Sequence, residues 1–367
     1  MSYSPGNGTL AQNQTPYETE LKNWIEKEKR ALELIQVVGK LWLDKSVELV
    51  VLRRRIFDNN VSEILNDHLY AKNYLEQPIT VDVTLELAQA ISRLDIAPAR
   101  IDMGRLDAEW LKEKQDYSNV DDFVSDKLSD FIGSDKLQLN PRDVVLYGLG
   151  RIGRLAARIL IEQAGKGQQL RLRAIVTKNN SDEDILKRAS LLRKDSVHGK
   201  LAGTIVEDLE EKTLTINGQK VHMIGSEEPE SIDYTEYGIH NAMIIDNTGV
   251  WRDREGLSKH LCANGVDQVL LTAPGKGDLP NLVYGINHES YKDEDNIYSA
   301  ASCTTNAIVP VLKVVNDQLG IDKGHIETVH AYTNDQNLLD NYHKKSRRGR
   351  SAALNMVITE TGAAKAV

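Results

Sequence analysis

The hexapeptide Gly148-Leu149-Gly150-Arg151-Ile152-Gly153 restricts what this chain can fold into more than any other segment does. It follows the apolar run Val144-Val145-Leu146-Tyr147 and opens an amphipathic stretch from Arg151 to Gln163. The G-x-G-x-x-G spacing therefore falls on a strand–turn–helix unit, where each glycine has a task. The first permits the tight turn, the second lets backbone approach a pyrophosphate, and the third lets the helix pack close to the strand. The start of the helix adds unpaired N–H groups and partial positive charge, both suited to phosphate. The motif predicts a dinucleotide site built on Gly148, Gly150 and Gly153.

The surrounding pattern agrees. Gly133-Ser134 and Asn140-Pro141 punctuate the chain, and β-like and helix-like runs then alternate: Val144–Tyr147, Ile152–Gln163, Leu170–Val176 and Asp184–Arg193. Thr213–Ile216 and Lys220–Ile224 flank Asn217-Gly218, a hairpin signature. Met243–Asp246, a helix near Arg254–Ala263 and Gln268–Thr272 follow. This order predicts a mainly parallel sheet covered on both faces, an α/β fold.

Residues 17–140 read differently, as helices. Trp24, Ile25, Leu32, Leu34 and Ile35 recur at helical spacing. Val47–Leu52 is a second helical candidate, and apolar stripes return around Leu85–Ile91 and from Val120 to Ile132. With no repeat, metal-ligand spacing or nucleophile motif, this region reads as a helical accessory or assembly domain.

Length and composition narrow the function classes. A chain of 367 residues suggests two or three domains, and 41% hydrophobic with 27% charged residues is the balance of a folded soluble protein. The net charge is −9, of which residues 1–141 carry −7. An acidic balance disfavours nucleic-acid backbone binding. No apolar run approaches the roughly 18 residues of a membrane-spanning helix, and the first 16 residues lack the order of a secretory signal. Two cysteines, Cys262 and Cys303, make no disulfide framework. A cytoplasmic protein with no metal, membrane or nucleic-acid partner is expected.

A dinucleotide site commonly places a carboxylate after the second strand to hold the ribose 2′-hydroxyl. Here that strand ends in Thr177-Lys178-Asn179-Asn180, and the first carboxylate is Asp182. Lys178 predicts that the 2′-phosphate of NADP is accepted, alongside NAD. In the competing arrangement, Asp182 or Asp184 folds back onto the ribose.

The nucleophile is read from Ser299-Ala300-Ala301-Ser302-Cys303-Thr304-Thr305-Asn306, which leads into an apolar helix from Ala307. Cys303 then sits where a helix starts, and the partial positive charge there favours thiolate. Cys262 is expected to pack on an apolar face beneath the sheet. A thiolate that takes up an aldehyde needs a base. Alternation along Ile326–Asp335 predicts a strand with His330 on one face, a better base candidate than His198, His222 or His325.

These residues resemble a known family. Val144–Arg154, Asp195–Gly199, Asn247–Val250, Ser302–Asn306 and His330–Gln336, with Thr361–Val367, are similar in order and spacing to phosphorylating glyceraldehyde-3-phosphate dehydrogenase from residue 142 onward. The resemblance implies a helical N-terminal extension over 1–140, as in a long bacterial form, an NAD(P)-binding Rossmann domain over 141–302, and the start of an α+β catalytic domain over 303–367. Cys303 would be the nucleophile and His330 the base. Ser302, Thr304, Thr361 and Gly362 would take inorganic phosphate, and Thr333 and Asp335 would lie near the phosphate of the substrate. Gly148, Gly150, Arg151, Ile152, Thr248, Gly249 and Thr272 would line the cofactor. The basic run His343–Arg350 matches a loop that packs across a subunit interface, and a homotetramer is implied. Two departures stand out. Tyr147 replaces the asparagine usual before the first glycine, and the matched region stops inside a helix at Val367. The chain is therefore expected to be a fragment with little activity. A dehydrogenase of another phosphorylated aldehyde, such as erythrose 4-phosphate, and a regulatory or scaffolding protein with a vestigial dehydrogenase portion are the alternative functions.

Overall fold

A threonine caps the first described helix. The Thr15 hydroxyl accepts from the Glu18 N–H and the Glu18 carboxylate reaches back to the Thr15 N–H, starting α1 (Pro16–Lys45). The computed structural model describes residues 15–75, 77–133, 140–167, 169–292, 295–345 and 347–358. They form two compact units. One comprises Met1–Pro141 with Ala164–Gln169, and the other Arg142–Gln163 with Leu170–Val367.

In the first unit α1 ends at Ser46, whose left-handed conformation stops the helix. The chain continues as β1 (Val47–Val51), β2 (Arg54–Arg55), α2 (Val61–Ala71), α3 (Val81–Arg93), β3 (Ala99–Asp102), α4 (Met103–Glu113) and α5 (Val120–Lys127). The strands form a sheet in the order β2-β1-β3, with β1 and β3 parallel. The expected helix at Val47–Leu52 is thus a strand, and the unit is not wholly helical. Val47, Val50 and Val51 lose side-chain freedom in a helix; Val47 and Val50 pair instead with β3, some fifty residues later, and Val51 with β2. Leu34, Leu41, Leu49, Ile64, Leu87, Ile91, Met103 and Phe123 fill the core.

One polar chain crosses that core. His68 Nδ1 is 2.8 Å from the Ile64 carbonyl, and its Nε2 is 2.8 Å from the Thr84 hydroxyl, which lies 2.5 Å from Asp107 Oδ2. Asp107 and Thr84 are wholly buried, and Asp107 Oδ1 has no hydrogen-bond partner among the described residues. Burial pushes the Asp107 carboxyl up to about 8 and holds His68 below its ordinary value. The Thr84 hydroxyl thus stands between His68 Nε2 and Asp107 Oδ2, with the Thr80 carbonyl 3.1 Å away as a further acceptor.

The second unit contains β4 (Arg142–Tyr147), α6 (Arg151–Gln163), β5 (Leu170–Thr177), α7 (Asp182–Arg193), β6 (Lys194–Asp195), β7 (Gly199–Lys200), β8 (Ile205–Asp208), β9 (Thr213–Ile216) and β10 (Gln219–Gly225). It continues with β11 (Ala242–Asp246), α8 (Arg254–Ser258), β12 (Val266–Leu271), β13 (Ile297–Ser299) and α9 (Cys303–Leu319). Eight strands form one sheet in the order β13-β12-β11-β4-β5-β10-β9-β8. The six from β13 to β10 are parallel, and β9 and β8 add antiparallel at the β10 edge. Asn217 and Gly218, both at positive φ, make the expected hairpin turn. Alternate residues of β4 face opposite cores. Val144 and Leu146 pack with Ala157 and Ile161 of α6, and Val145 and Tyr147 pack with Tyr234 and Ile239. This is a doubly wound α/β fold. β4 stands between β5 and β11, the point where strand order reverses and where such sheets open a crevice at their carboxyl edge. No described helix is long and apolar enough to cross a membrane.

Because the folded carboxyl of Asp107 titrates above its unfolded value, its contribution is complete below about pH 4 and is lost as pH rises through about 8. Between those limits stability should fall by roughly 1.4 kcal/mol per pH unit from this group. Amide exchange at α3, followed from pH 6 to 9 in the full chain, should accelerate beyond its intrinsic pH trend, and Asp107→Asn should remove the excess.

Candidate active site

The turn after β4 is shaped by what its glycines exclude. Gly148 has φ +95°, and a Cβ there would come within 3.0 Å of Thr248 Cγ2. A Cβ on Gly153 would lie 2.1 Å from the Gly148 carbonyl oxygen, so only glycine lets α6 start this close to the strand. At Gly150 a Cβ would meet nothing within 4 Å, leaving an open backbone face beside the first turn of α6. NAD or NADP fits this cradle: the open Gly150 edge and the N–H groups at the start of α6 would take the pyrophosphate. Arg151 and Ile152 are exposed on that first turn.

Thr248, Gly249 and Thr272 lie beyond the carboxyl ends of β11 and β12, and one residue that sequence reasoning missed organises them. Asp246, wholly buried at the end of β11, accepts from both the N–H and the hydroxyl of Thr248 at 2.7 Å through Oδ1. Its backbone carbonyl accepts from the N–H and the hydroxyl of Thr272, each at 3.0 Å. Gly249 has φ +63°, completing the turn. A strand-terminal Asp two residues before Thr is a turn signal by itself. Its link to Thr272 depends on strand order and is not local.

Tyr147 does not open onto solvent. It is buried against His260, ring centroids 4.7 Å apart, and against Trp251. Lys178 is exposed, 3.7 Å from the equally exposed Glu227, a pair that contributes little by itself. Asp182 is held by Lys212 and Asp184 by Arg188.

Cys303 is the first residue of α9. Its predecessor Ser302 caps the helix, accepting from the Thr305 N–H at 2.9 Å. Ala301 before it has φ +58°, an unusual backbone for a residue with a Cβ, stabilised by its N–H donating to the Ser299 hydroxyl at 2.9 Å. The Asn306 amide donates to the Ala300 and Ser302 carbonyls. These bonds fix the sulfur at the helix start. Cys303 Sγ lies 3.6 Å from His330 Nε2, and His330 Nδ1 lies 2.6 Å from the Ala331 carbonyl. The imidazole beside it draws the Cys303 thiol below its ordinary value, against burial, and the Thr304 hydroxyl helps. The same contact raises His330, aided by the Ala331 carbonyl. Both shifts favour a thiolate–imidazolium pair.

Two expectations need correction. The segment around His330 forms no strand among the described residues; Ile326–Tyr332 is exposed, non-paired chain. Alternation describes a strand only when a neighbour supplies its ladder, and none is paired there. Cys262 is exposed, not packed beneath the sheet, because the chain turns from α8 into a 3-10 segment, Lys259–Cys262, and His260 takes the inward position.

Thr304 and Thr333 are half-buried, and Thr333 N–H donates to Gln336 Oε1 at 3.3 Å. The Asp335 carboxylate is bound by Arg348 and lies 3.8 Å from His343. Within the basic run, Arg350 pairs with Asp340 at 2.6 Å and Arg347 donates to the Ile358 carbonyl at 3.1 Å. Thr361 and Gly362 lie outside the described residues.

Residues 142–254 match the family model for the NAD binding domain of glyceraldehyde 3-phosphate dehydrogenase, and residues 302–367 match its C-terminal domain. Together with the doubly wound sheet, this defines an NAD(P)-binding oxidoreductase. A Pseudomonas aeruginosa (strain UCBPP-PA14) glyceraldehyde-3-phosphate dehydrogenase-like protein is 52% identical over 336 residues, 91% of this chain and 73% of that relative. The Thermotoga maritima glyceraldehyde-3-phosphate dehydrogenase is 42% identical over 224 residues, 61% of this chain and 64% of its own length. The Zea mays chloroplastic enzyme A is also 42% identical, over 53% of its length. The chain thus spans less than two-thirds of these last two relatives. It belongs to the glyceraldehyde-3-phosphate dehydrogenase family.

Because both cysteines are exposed, their reactivity should be separated by charge and not by access. At pH 7 iodoacetamide should alkylate Cys303 at least about tenfold faster than Cys262, and His330→Asn should slow Cys303 alone, as peptide mass spectrometry would show. Gly153→Ala should destabilise the second unit by about 1–3 kcal/mol, because strand and helix must separate, and should abolish NAD binding measured by calorimetry.

Proposed function

We propose that this protein carries out the phosphorylating oxidation of glyceraldehyde 3-phosphate, with NAD or NADP, through a thioester on Cys303. The observation that carries the reading is the 3.6 Å contact between Cys303 Sγ and His330 Nε2 at the start of a helix. The thiolate attacks the aldehyde carbon, and the new C–S bond pushes an electron pair onto oxygen. The His330 imidazolium holds that oxyanion and gives it its proton, leaving a hemithioacetal hydroxyl and a neutral imidazole. His330 then takes the hydroxyl proton as the carbonyl re-forms. The bound nicotinamide ring supplies the hydride acceptor for this oxidation. Ser302 and Thr304, with Thr361 and Gly362, receive inorganic phosphate, whose oxygen attacks the thioester and releases an acyl phosphate and the Cys303 thiolate. Thr333 and Asp335 border the phosphate of the substrate, Asp335 acting with the Arg348 it binds.

Lys178 would hold the 2′-phosphate of NADP, since its exposed pair with Glu227 is easily exchanged. The carboxylates that would select against NADP, Asp182 and Asp184, are already paired with cations. We place the active protein in the cytoplasm as a homotetramer.

In the full-length polypeptide, incubation with glyceraldehyde 3-phosphate and NAD without phosphate should add one acyl group at Cys303, and Cys303→Ser should add none. An unlabelled Cys303 in the unaltered protein rejects this reading. Lys178→Glu should raise the KM for NADP about tenfold or more and leave that for NAD nearly unchanged.

A further inference from the structure

One imidazole joins the two strand ends that frame the crevice, and nothing in the reaction just described uses it. His260 is 1% exposed and comes from the 3-10 turn after α8. Its Nε2 lies 3.1 Å from Asp246 Oδ2, at the end of β11. Its ring stands edge-on to Tyr147, the last residue of β4, and at 90° to Trp251. Its Nδ1 has no hydrogen-bond partner among the described residues. The ring is therefore fixed by packing, with one polar contact, and that contact is the Asp246 carboxylate.

Asp246 has divided its acceptors with little to spare. Oδ1 takes both donors of Thr248, and the backbone carbonyl takes both donors of Thr272. Oδ2 has His260 as its hydrogen-bond partner among the described residues. Thr248 in turn sets the floor of the glycine turn, because its Cγ2 occupies the space a Cβ on Gly148 would need. A displacement of Asp246 is passed to Thr248 and from there to Gly148. Without a donor at position 260, a buried carboxylate oxygen is left unpaired, and the carboxylate must move toward water or another donor.

We propose that the buried Asp246–His260 pair is a positioning device that holds the Thr248 turn against the glycine turn and so sets the affinity of the site for the dinucleotide. The proposal rests on the dinucleotide reading of Gly148–Gly153. His260 touches neither the nucleophile nor its base. Cys303 follows β13, separated from β11 by β12, so the pair acts on cofactor binding and leaves the thiol unaffected.

Two substitutions separate the hydrogen bond from the packing. His260→Leu fills much of the volume without a donor; His260→Gln restores an N–H that can reach Asp246. Calorimetric titration of the full chain with NAD, together with the iodoacetamide rate at Cys303, reads both ends of the site. His260→Leu should weaken NAD binding by roughly tenfold or more, His260→Gln should recover most of that loss, and the Cys303 rate should match the unaltered chain in both. Equal NAD affinity in the unaltered and Leu chains overturns the proposal, as does an equal loss in Leu and Gln, which would assign the effect to packing. Where His260→Leu does not fold, Asp246→Asn carries the same comparison, with weaker NAD binding expected and unchanged binding refuting it. No heat of binding in the unaltered chain rejects the dinucleotide reading itself, and the positioning role falls with it.

Discussion

Parallel strands end together. In the second unit β4, β5, β10, β11, β12 and β13 all run the same way, so the chain leaves the sheet at one edge six times. Every residue assigned to cofactor or nucleophile leaves there: the glycine turn after β4, Lys178 after β5, Thr248 after β11, Thr272 after β12 and Cys303 after β13. The sheet sets this convergence, and side chains only refine it. What each loop adds is local control of backbone. A glycine yields to a neighbouring carbonyl, an aspartate gathers two threonines, and a left-handed alanine aims a capped helix. The chemistry of the thiol depends on that last step, because it places Cys303 in the first turn of α9, where the partial positive charge of the helix start favours thiolate.

The two units store polarity in opposite ways. Around Asp107 a carboxyl is buried among apolar groups and is best accommodated neutral, with a threonine hydroxyl linking it to a buried histidine. At Asp246 four donors and an imidazole converge on one buried residue. Neither arrangement is exposed, yet the first governs the stability of a helical layer and the second the shape of a binding turn. The difference lies in what the partners do next: Thr84 and His68 lead deeper into a core, whereas Thr248 and Thr272 lead out to a crevice.

Much of the second unit was legible in its sequence because its signals are local. The helix from Arg151 to Gln163, the Asn217-Gly218 turn and the start of α9 at Cys303 each follow from a few adjacent residues. Errors arose where the deciding partner is distant. Val47–Val51 became a strand because Ala99–Asp102 pairs with it. The alternation around His330 produced no strand because none of the described residues pairs with it. His260, fourteen residues after Asp246, carried no mark that separated it from the exposed Cys262 two positions later. For the site, the nucleophile and glycine turn could be read directly, while the buried acid that links Thr248 to Thr272 required the order of strands.

The same strand order has a consequence for the growing chain. Gly148 and Asn247, which meet across the reversal point, are separated by 99 positions. A ribosome adding about 5–20 residues per second needs roughly 5–20 s to pass from one to the other. Through that interval β4 has β5 on one side and no β11 on the other, so the phosphate-binding loop is emitted early as half of a cleft whose opposite wall has not been translated. A pause or premature release between these two points leaves β4 with an unpaired edge at the centre of the sheet, a template for pairing with another chain.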